Sequence, residues 1–247
     1  MTVLIKLIEE LKSGVDGPFA IILAGHNGSG KSTMWYKYLA DKIQMPLINA
    51  DRMMLSILPE ACVEKPLQEW AVSIRDNNQD WMKVAQKGVE AFVTQAMNKK
   101  VDFAMETVFS HWRVLENGKV ESKIDKIHQL QKEGYFVLLL FVGLANEQLS
   151  IFRVQSRIAD KKTPGHDVPI DKLIQRFPRT QKAIQNAITE ADAAILVDNS
   201  RTIDEAFTVC RVQKKNDVRY DLRLGSKTPL EITEWMNKVC PNDLPRK

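Results

Sequence analysis

Cysteine is scarce in this 247-residue chain. The three present, Cys62, Cys210 and Cys240, are odd in number and widely separated, which argues against both a disulfide framework and a zinc site and fits a reducing cytosol. Long apolar runs are missing too. The longest, near Val137 to Val142, falls far short of the roughly 20 residues that a membrane helix needs. No signal peptide is expected at the start, because Leu4, Leu7, Ile8 and Leu11 recur at helical spacing with Glu9 and Glu10 among them, the pattern of an amphipathic helix. Nor is there a strong excess of one charge: the net +4 is spread over 35 basic and 31 acidic residues, so a general nucleic-acid-coating role has no compositional support. Internal repeats and low-complexity tracts are absent. The expectation is a soluble, cytoplasmic protein without membrane attachment, and the 44% apolar content supplies a real core.

What the chain does have is a phosphate loop. Gly25-His26-Asn27-Gly28-Ser29-Gly30-Lys31-Ser32 spells GxxxxGK[ST], with a further hydroxyl at Thr33. The apolar run Phe19 to Ala24 reads as a buried strand entering it, and Thr33 to Asp41 leaves it with helical composition. Glycines at 25, 28 and 30 permit a turn that aims successive N–H groups at one anion, and the following helix N-terminus adds its partial positive charge. Lys31 is then placed for the outer phosphates and Ser32 for a magnesium ion.

The rest alternates strands with helices. Met45 to Ala50 reads as a short strand delivering Asp51, Pro59 to Asp80 as short helices and loops, Gln79 to Lys100 as a packed helix, and Val101 to Met105 as a strand ending at Glu106. A helix from about 121 to 133 leads into a central strand, Tyr135 to Leu144. Asn146 caps the helix carrying Arg153 and Arg157, Lys161 to Pro169 forms a loop, and Ile170 to Ala191 a helix interrupted near Pro178. Ala193 to Val197 is the last parallel strand. Phe207 to Val212 and Val218 to Leu224 read as a hairpin, and Leu230 to Val239 as a closing helix. The fold expected is a P-loop NTPase or kinase-type α/β fold, a parallel sheet flanked by helices with a small C-terminal β-hairpin and helix. Its parts are an N-terminal helix (1–17), a kinase core (18–200) and C-terminal strands and helix (201–247).

Phosphoryl transfer calls for a nucleotide clamp, a base for the acceptor hydroxyl and cations on the migrating phosphate. Asp51, at a strand tip, suits either the base or the N-cap of the segment Arg52 to Leu58. Glu106, with Thr107 and Ser110, forms a second polar cluster that can hold magnesium through water, grip a substrate hydroxyl or cap a helix. Arg153 and Arg157 lie one helical turn apart, and Arg176 and Arg179 follow the loop Pro164 to Pro169. Such arginines either face solvent or stabilise the transferring phosphoryl group, a role worth about three to five powers of ten in rate. Trp35, Tyr36 and Tyr38 suit base stacking or core packing equally. His111, beside Trp112, reads as packing or surface.

Taken in order, these motifs resemble the zeta toxin family of small-molecule kinases. The matching stretches are Ala24 to Thr33, Ile48-Asn49-Ala50-Asp51, Glu106-Thr107-Val108-Phe109-Ser110, Arg153-Val154-Gln155-Ser156-Arg157, Gly165-His166-Asp167-Val168-Pro169, Arg176-Phe177-Pro178-Arg179 and Asp198-Asn199-Ser200. The resemblance implies a kinase that uses ATP and Mg2+ to phosphorylate a hydroxyl of a UDP-activated N-acetyl sugar, with a separate antitoxin protein as partner. By motif position Lys31 holds the β and γ phosphates, Asp51 is the base, Arg157 and Arg176 bind the γ-phosphate, and Glu106 and Thr107 line the acceptor site. The chain departs from the family pattern at His26, where proline is common, at Pro164-Gly165, where paired glycines are frequent, and at Phe177-Pro178, where a basic-aromatic pair is usual. Two other readings stay open: a kinase for another acceptor, such as a nucleic-acid 5′ hydroxyl or a metabolite, and an ATP-binding switch that hydrolyses ATP slowly.

Overall fold

Seven strands form one sheet in the spatial order β2-β3-β1-β6-β7-β8-β9 in the computed structural model, which describes residues 1–60, 65–77, 79–159, 168–225 and 227–241. Cys62 and the Pro164-Gly165-His166-Asp167 part of the expected loop lie outside the described residues. The strands are β1 (Phe19–Gly25), β2 (Leu47–Ile48), β3 (Phe103–Thr107), β4 (Trp112–Val114), β5 (Val120–Ser122), β6 (Phe136–Gly143), β7 (Ala193–Asp198), β8 (Thr208–Lys214) and β9 (Asp217–Asp221). From β2 to β7 all pairings in the large sheet are parallel, whereas β8 and β9 add to its edge antiparallel. β4 and β5 form a separate hairpin.

The helices are α1 (Thr2–Ser13), α2 (Lys31–Met34), α3 (Ala40–Ile43), α4 (Ala50–Ser56), α5 (Glu69–Asn77), α6 (Gln79–Lys99), α7 (Ile124–Lys132), α8 (Glu147–Ala159), α9 (Ile170–Ala187) and α10 (Leu230–Val239). A π-helical stretch, Trp35–Leu39, joins α2 to α3. No helix among the described residues is long and apolar enough to cross a membrane.

Successive residues of β1 point to opposite faces of the sheet, and both faces are covered. Ala20, Ile22 and Ala24 join a core with Val93 of α6, Ile127 of α7, Ile184 of α9 and Trp235 of α10. Phe19, Ile21 and Leu23 join another with Leu4 and Ile8 of α1, Met34 of α2 and Trp35. A continuous apolar run is what a strand buried on both sides requires. The register sets Leu23 opposite Glu106, Ala24 opposite Thr107 and Gly25 opposite Val142, so the carboxyl ends of β1, β3 and β6 are level.

Four elements differ from expectation. β2 is only two residues long, because Asn49 already caps α4. The helix expected from about 121 begins at Ile124, since Val120–Ser122 pairs in the small hairpin. α9 runs unbroken through Pro178 and ends at Ala187. Pro178 and Ile174 are both exposed, where water can satisfy the carbonyl that the missing N–H leaves free. The last strand ends at Asp221, after which Leu222–Leu224 makes a 3-10 turn. There Asp221 is buried between two guanidinium groups, Arg211 Nη1 at 2.8 Å and Arg223 Nη2 at 2.6 Å. Arg223 also donates to the carbonyl of Cys240 at 2.9 Å, tying the hairpin to the end of α10.

Candidate active site

The loop between β1 and α2 wraps around the Lys31 side chain. Lys31 Nζ donates to the carbonyls of Gly25 and His26, both at 3.0 Å, and the residue is only 7% exposed. Burial holds its pKa below the ordinary lysine value; the charges of Glu106 and Asp51 oppose that shift and the charge of Arg157 adds to it. One ammonium therefore lies in the field of two carboxylates and a guanidinium from β3, α4 and α8.

Gly30 sits at φ +88°, a left-handed conformation that favours glycine. A Cβ there would meet Asn199 Nδ2 at 2.6 Å. That amide instead donates to the carbonyl of Ser29 at 2.8 Å, so the end of β7 braces the loop. On the other side Ser150 Oγ of α8 donates to the carbonyl of Asn27 at 2.7 Å. Asn199 falls in the family-like stretch Asp198-Asn199-Ser200, but its contact with Ser29, like that of Ser150 with Asn27, joins segments far apart in the chain and has no local signature.

Glu106 faces the start of α2. Ser32 Oγ donates to its two oxygens at 3.0 and 3.1 Å, Asn49 Nδ2 donates to Oε2 at 2.6 Å, and Lys31 Nζ stands 3.9 Å from Oε1. Because Glu106 belongs to β3, the helix-cap alternative falls away. It falls away for Asp51 as well: Asn49 is the N-cap of α4, accepting from Arg52 N at 3.2 Å, and Asp51 is an exposed residue of the first turn. An Asn just before a predicted helix was the signal available for this.

The remaining candidates divide. Arg153 and Arg157 are half-buried on α8, and Arg176 is half-buried on α9. Arg179 is exposed there, donating to Gln175 Oε1 at 3.4 Å. Thr107 Oγ1 accepts from Phe109 N at 3.1 Å, supporting the positive φ of Phe109, and Ser110 is half-buried just beyond. Thr33 is exposed. His111 pairs with Glu121 at 3.2 Å on the surface. Of the three aromatics after the loop, Trp35 is buried in the core and Tyr38 meets Phe207 edge-on. Tyr36 carries the Arg52 guanidinium 4.2 Å above its ring, a pair not expected from sequence.

The loop suits a bound polyphosphate. Ser29 Oγ, a hydroxyl able to donate to a phosphate oxygen, is a buried polar atom of this loop without a hydrogen-bond partner among the described residues. The adjoining donor set, the Ser32 hydroxyl and the Glu106 carboxylate, is all oxygen, which suits a hard divalent cation such as Mg2+.

A mostly parallel sheet with a phosphate loop at its carboxyl edge defines a P-loop kinase-type α/β fold. The chain belongs to the zeta toxin family, whose sequence profile, described as Zeta toxin, matches residues 5–216. Its fold is similar to that in the crystal structure of AvrRxo1-ORF1:-ORF2 with ATP, with a TM-score of 0.59 and 14% identity over 98% of this chain and 70% of that one. It is also similar to a chain of the PezAT chromosomal toxin-antitoxin system of the human pathogen Streptococcus pneumoniae, with a TM-score of 0.51 and 15% identity over 98% of this chain and 88% of that one. No match was found among the curated proteins compared.

Proposed function

We propose that the protein is a kinase that transfers the γ-phosphoryl group of ATP, with Mg2+, to a hydroxyl of a UDP-activated N-acetyl sugar. The observation that carries this reading is the convergence of Ser32, Asn49 and Lys31 on Glu106, with Asp51 and Arg157 in the same electrostatic field.

The phosphate loop binds the phosphates through its backbone N–H groups and Lys31. Ser32 and Glu106 would hold Mg2+, which when bound supplies charge neutralisation to the phosphates. Glu106 thereby belongs to the metal side of the site more than to the acceptor side, while Thr107 and Ser110 border the acceptor. Asp51 takes the proton of the acceptor hydroxyl as the new O–P bond forms and the bond to the departing ADP breaks. Arg157 and Arg176 offset the charge on the migrating group.

The UDP-sugar acceptor rests on family membership, and an anionic acceptor is also favoured by Arg52, stacked on Tyr36 one residue from Asp51. The ATP complex and the toxin-antitoxin system among the similar structures support ATP as donor and a separate antitoxin as partner. We place the protein in the cytoplasm, as a single kinase unit over 1–247. Incubation with ATP, Mg2+ and a panel of sugar nucleotides, nucleosides and 5′-hydroxyl oligonucleotides, read by mass spectrometry, tests the assignment. One phosphate gained on a UDP-sugar supports it; a gain on another acceptor replaces the substrate, and ADP release without any phosphorylated product refutes the kinase.

A further inference from the structure

The arginine-bearing part of the molecule does not share the main core. Val154 of α8 packs with Val168 and Leu173, and with Ile151 beside them, in a small cluster of its own. The second half of α9, through Ala183, Ile184 and Ala187, belongs instead to the large core under the sheet. Pro178 falls between the two halves and gives no N–H to the carbonyl of Ile174, so a rung of the helix is missing at the junction. A helix softened there needs a side-chain tie if the half carrying Arg176 is to keep its place against the phosphate loop.

Such a tie is present. The ring of Phe177 lies on the ring of His26 with centroids 3.8 Å apart and planes 12° from parallel, and Phe141 of β6 meets His26 edge-on at 5.7 Å. His26 is 2% exposed and Phe177 6%. The backbone carbonyl of His26 accepts from Lys31 Nζ, so one residue touches α9 through its ring and the phosphate-binding lysine through its main chain. α8 is tied to the same loop by Ser150, and it approaches so closely that a Cβ at Gly28 would lie 3.2 Å from Arg153 Cβ. Burial, with Lys31 nearby, lowers the His26 pKa to about 3, so the ring brings no cation to the loop.

We propose that the His26–Phe177 stack is a latch that positions the first half of α9, and Arg176 with it, on the phosphate loop. His26 is thus a positioning residue. Its consequence for turnover rests on the kinase reading above, whereas the latch itself does not.

The test compares His26→Ala, Phe177→Ala, their double variant and His26→Phe in the whole protein. The readouts are turnover, ATP affinity and amide hydrogen exchange over residues 170–177. Each alanine change is expected to lower turnover by roughly tenfold or more, since small misplacements of positioning groups are costly, with ATP affinity within about threefold. The double variant is expected within about threefold of the worse single one, the non-additivity of a shared contact. His26→Phe keeps a stacking ring and is expected to keep wild-type exchange over 170–177, which accelerates only in the alanine variants. Additive losses, exchange in His26→Phe as fast as in His26→Ala, or unchanged exchange in the alanine variants would overturn the latch. If the wild type transfers no phosphate, the kinase reading fails and exchange alone decides the latch. If the alanine variants do not fold, Phe177→Leu takes their place with the same expectations.

Discussion

The Ser32 hydroxyl donates to both carboxylate oxygens of Glu106, at 3.0 and 3.1 Å, across 74 positions of sequence. β1 and β3 pair in parallel with Leu23 opposite Glu106, so this contact follows from the sheet register. It puts the one hydroxyl expected on a metal ion against a carboxylate that Asn49 and Lys31 also hold.

Glu106→Gln keeps a hydrogen-bonding side chain there but removes its charge. Turnover is expected to fall by about two orders of magnitude or more, with the Mg2+ needed for half-maximal rate displaced upward. ATP affinity measured without Mg2+ is expected to stay within a few fold. A magnesium titration of wild type and variant checks this, and identical Mg2+ dependence would remove Glu106 from the metal side.

Arg157→Ala and Arg176→Ala are each expected to lower turnover by about 10³-fold or more, with a much smaller change in ATP affinity, because the guanidinium acts on charge that builds up during transfer. Steady-state kinetics beside equilibrium ATP binding separates the two effects. Wild-type turnover in either variant would contradict the assignment for that arginine.

The buried His26 gives a pH dependence of definite sign. Its folded pKa of about 3 lies below the unfolded value of 6.5, so between these values the unfolded chain binds more protons and stability falls as the pH falls. Near the middle of that window the slope from this residue approaches about 1.4 kcal/mol per pH unit; it halves at pH 6.5 and fades over roughly the next unit. Urea denaturation of wild type and His26→Phe from pH 4 to 8 isolates it, because other titrating groups are common to both. The variant is expected to lose less stability on acidification, and parallel curves would show that His26 does not titrate on unfolding.

Asp221→Ala would leave Arg211 and Arg223 buried without their shared carboxylate. The expected loss is about 3–5 kcal/mol of unfolding free energy, measured by denaturant titration, and a change under about 1 kcal/mol would show that water or another acceptor replaces the carboxylate.

How much of this was legible in the sequence depended on the range of the forces involved. The phosphate loop announces itself because its backbone needs glycines at fixed spacing, and β1 and β6 because strands covered on both faces must be apolar throughout. The hairpin of β4 and β5 left no such pattern: its strands are three residues each and largely exposed. Pro178 suggested a break, yet the packing of Leu173, Phe177 and Ile184 keeps α9 continuous through it. Asp51 read equally as base or cap until Asn49 proved to be the cap. Asn199 on Ser29, Ser150 on Asn27 and Phe177 on His26 are tertiary contacts between distant segments, and no local periodicity encodes them.

Asp51 is the carboxylate expected to take the acceptor proton as the phosphoryl group moves onto a hydroxyl. The most direct measurement follows phosphorylated acceptor by mass spectrometry for wild type and Asp51→Asn, beside ATP binding to both. The prediction is one phosphate gained on the acceptor with wild type, a loss of about 10²–10⁴-fold or more in the variant, and ATP affinity within a few fold. Undiminished transfer by Asp51→Asn, or loss of ATP binding in step with loss of transfer, would contradict it.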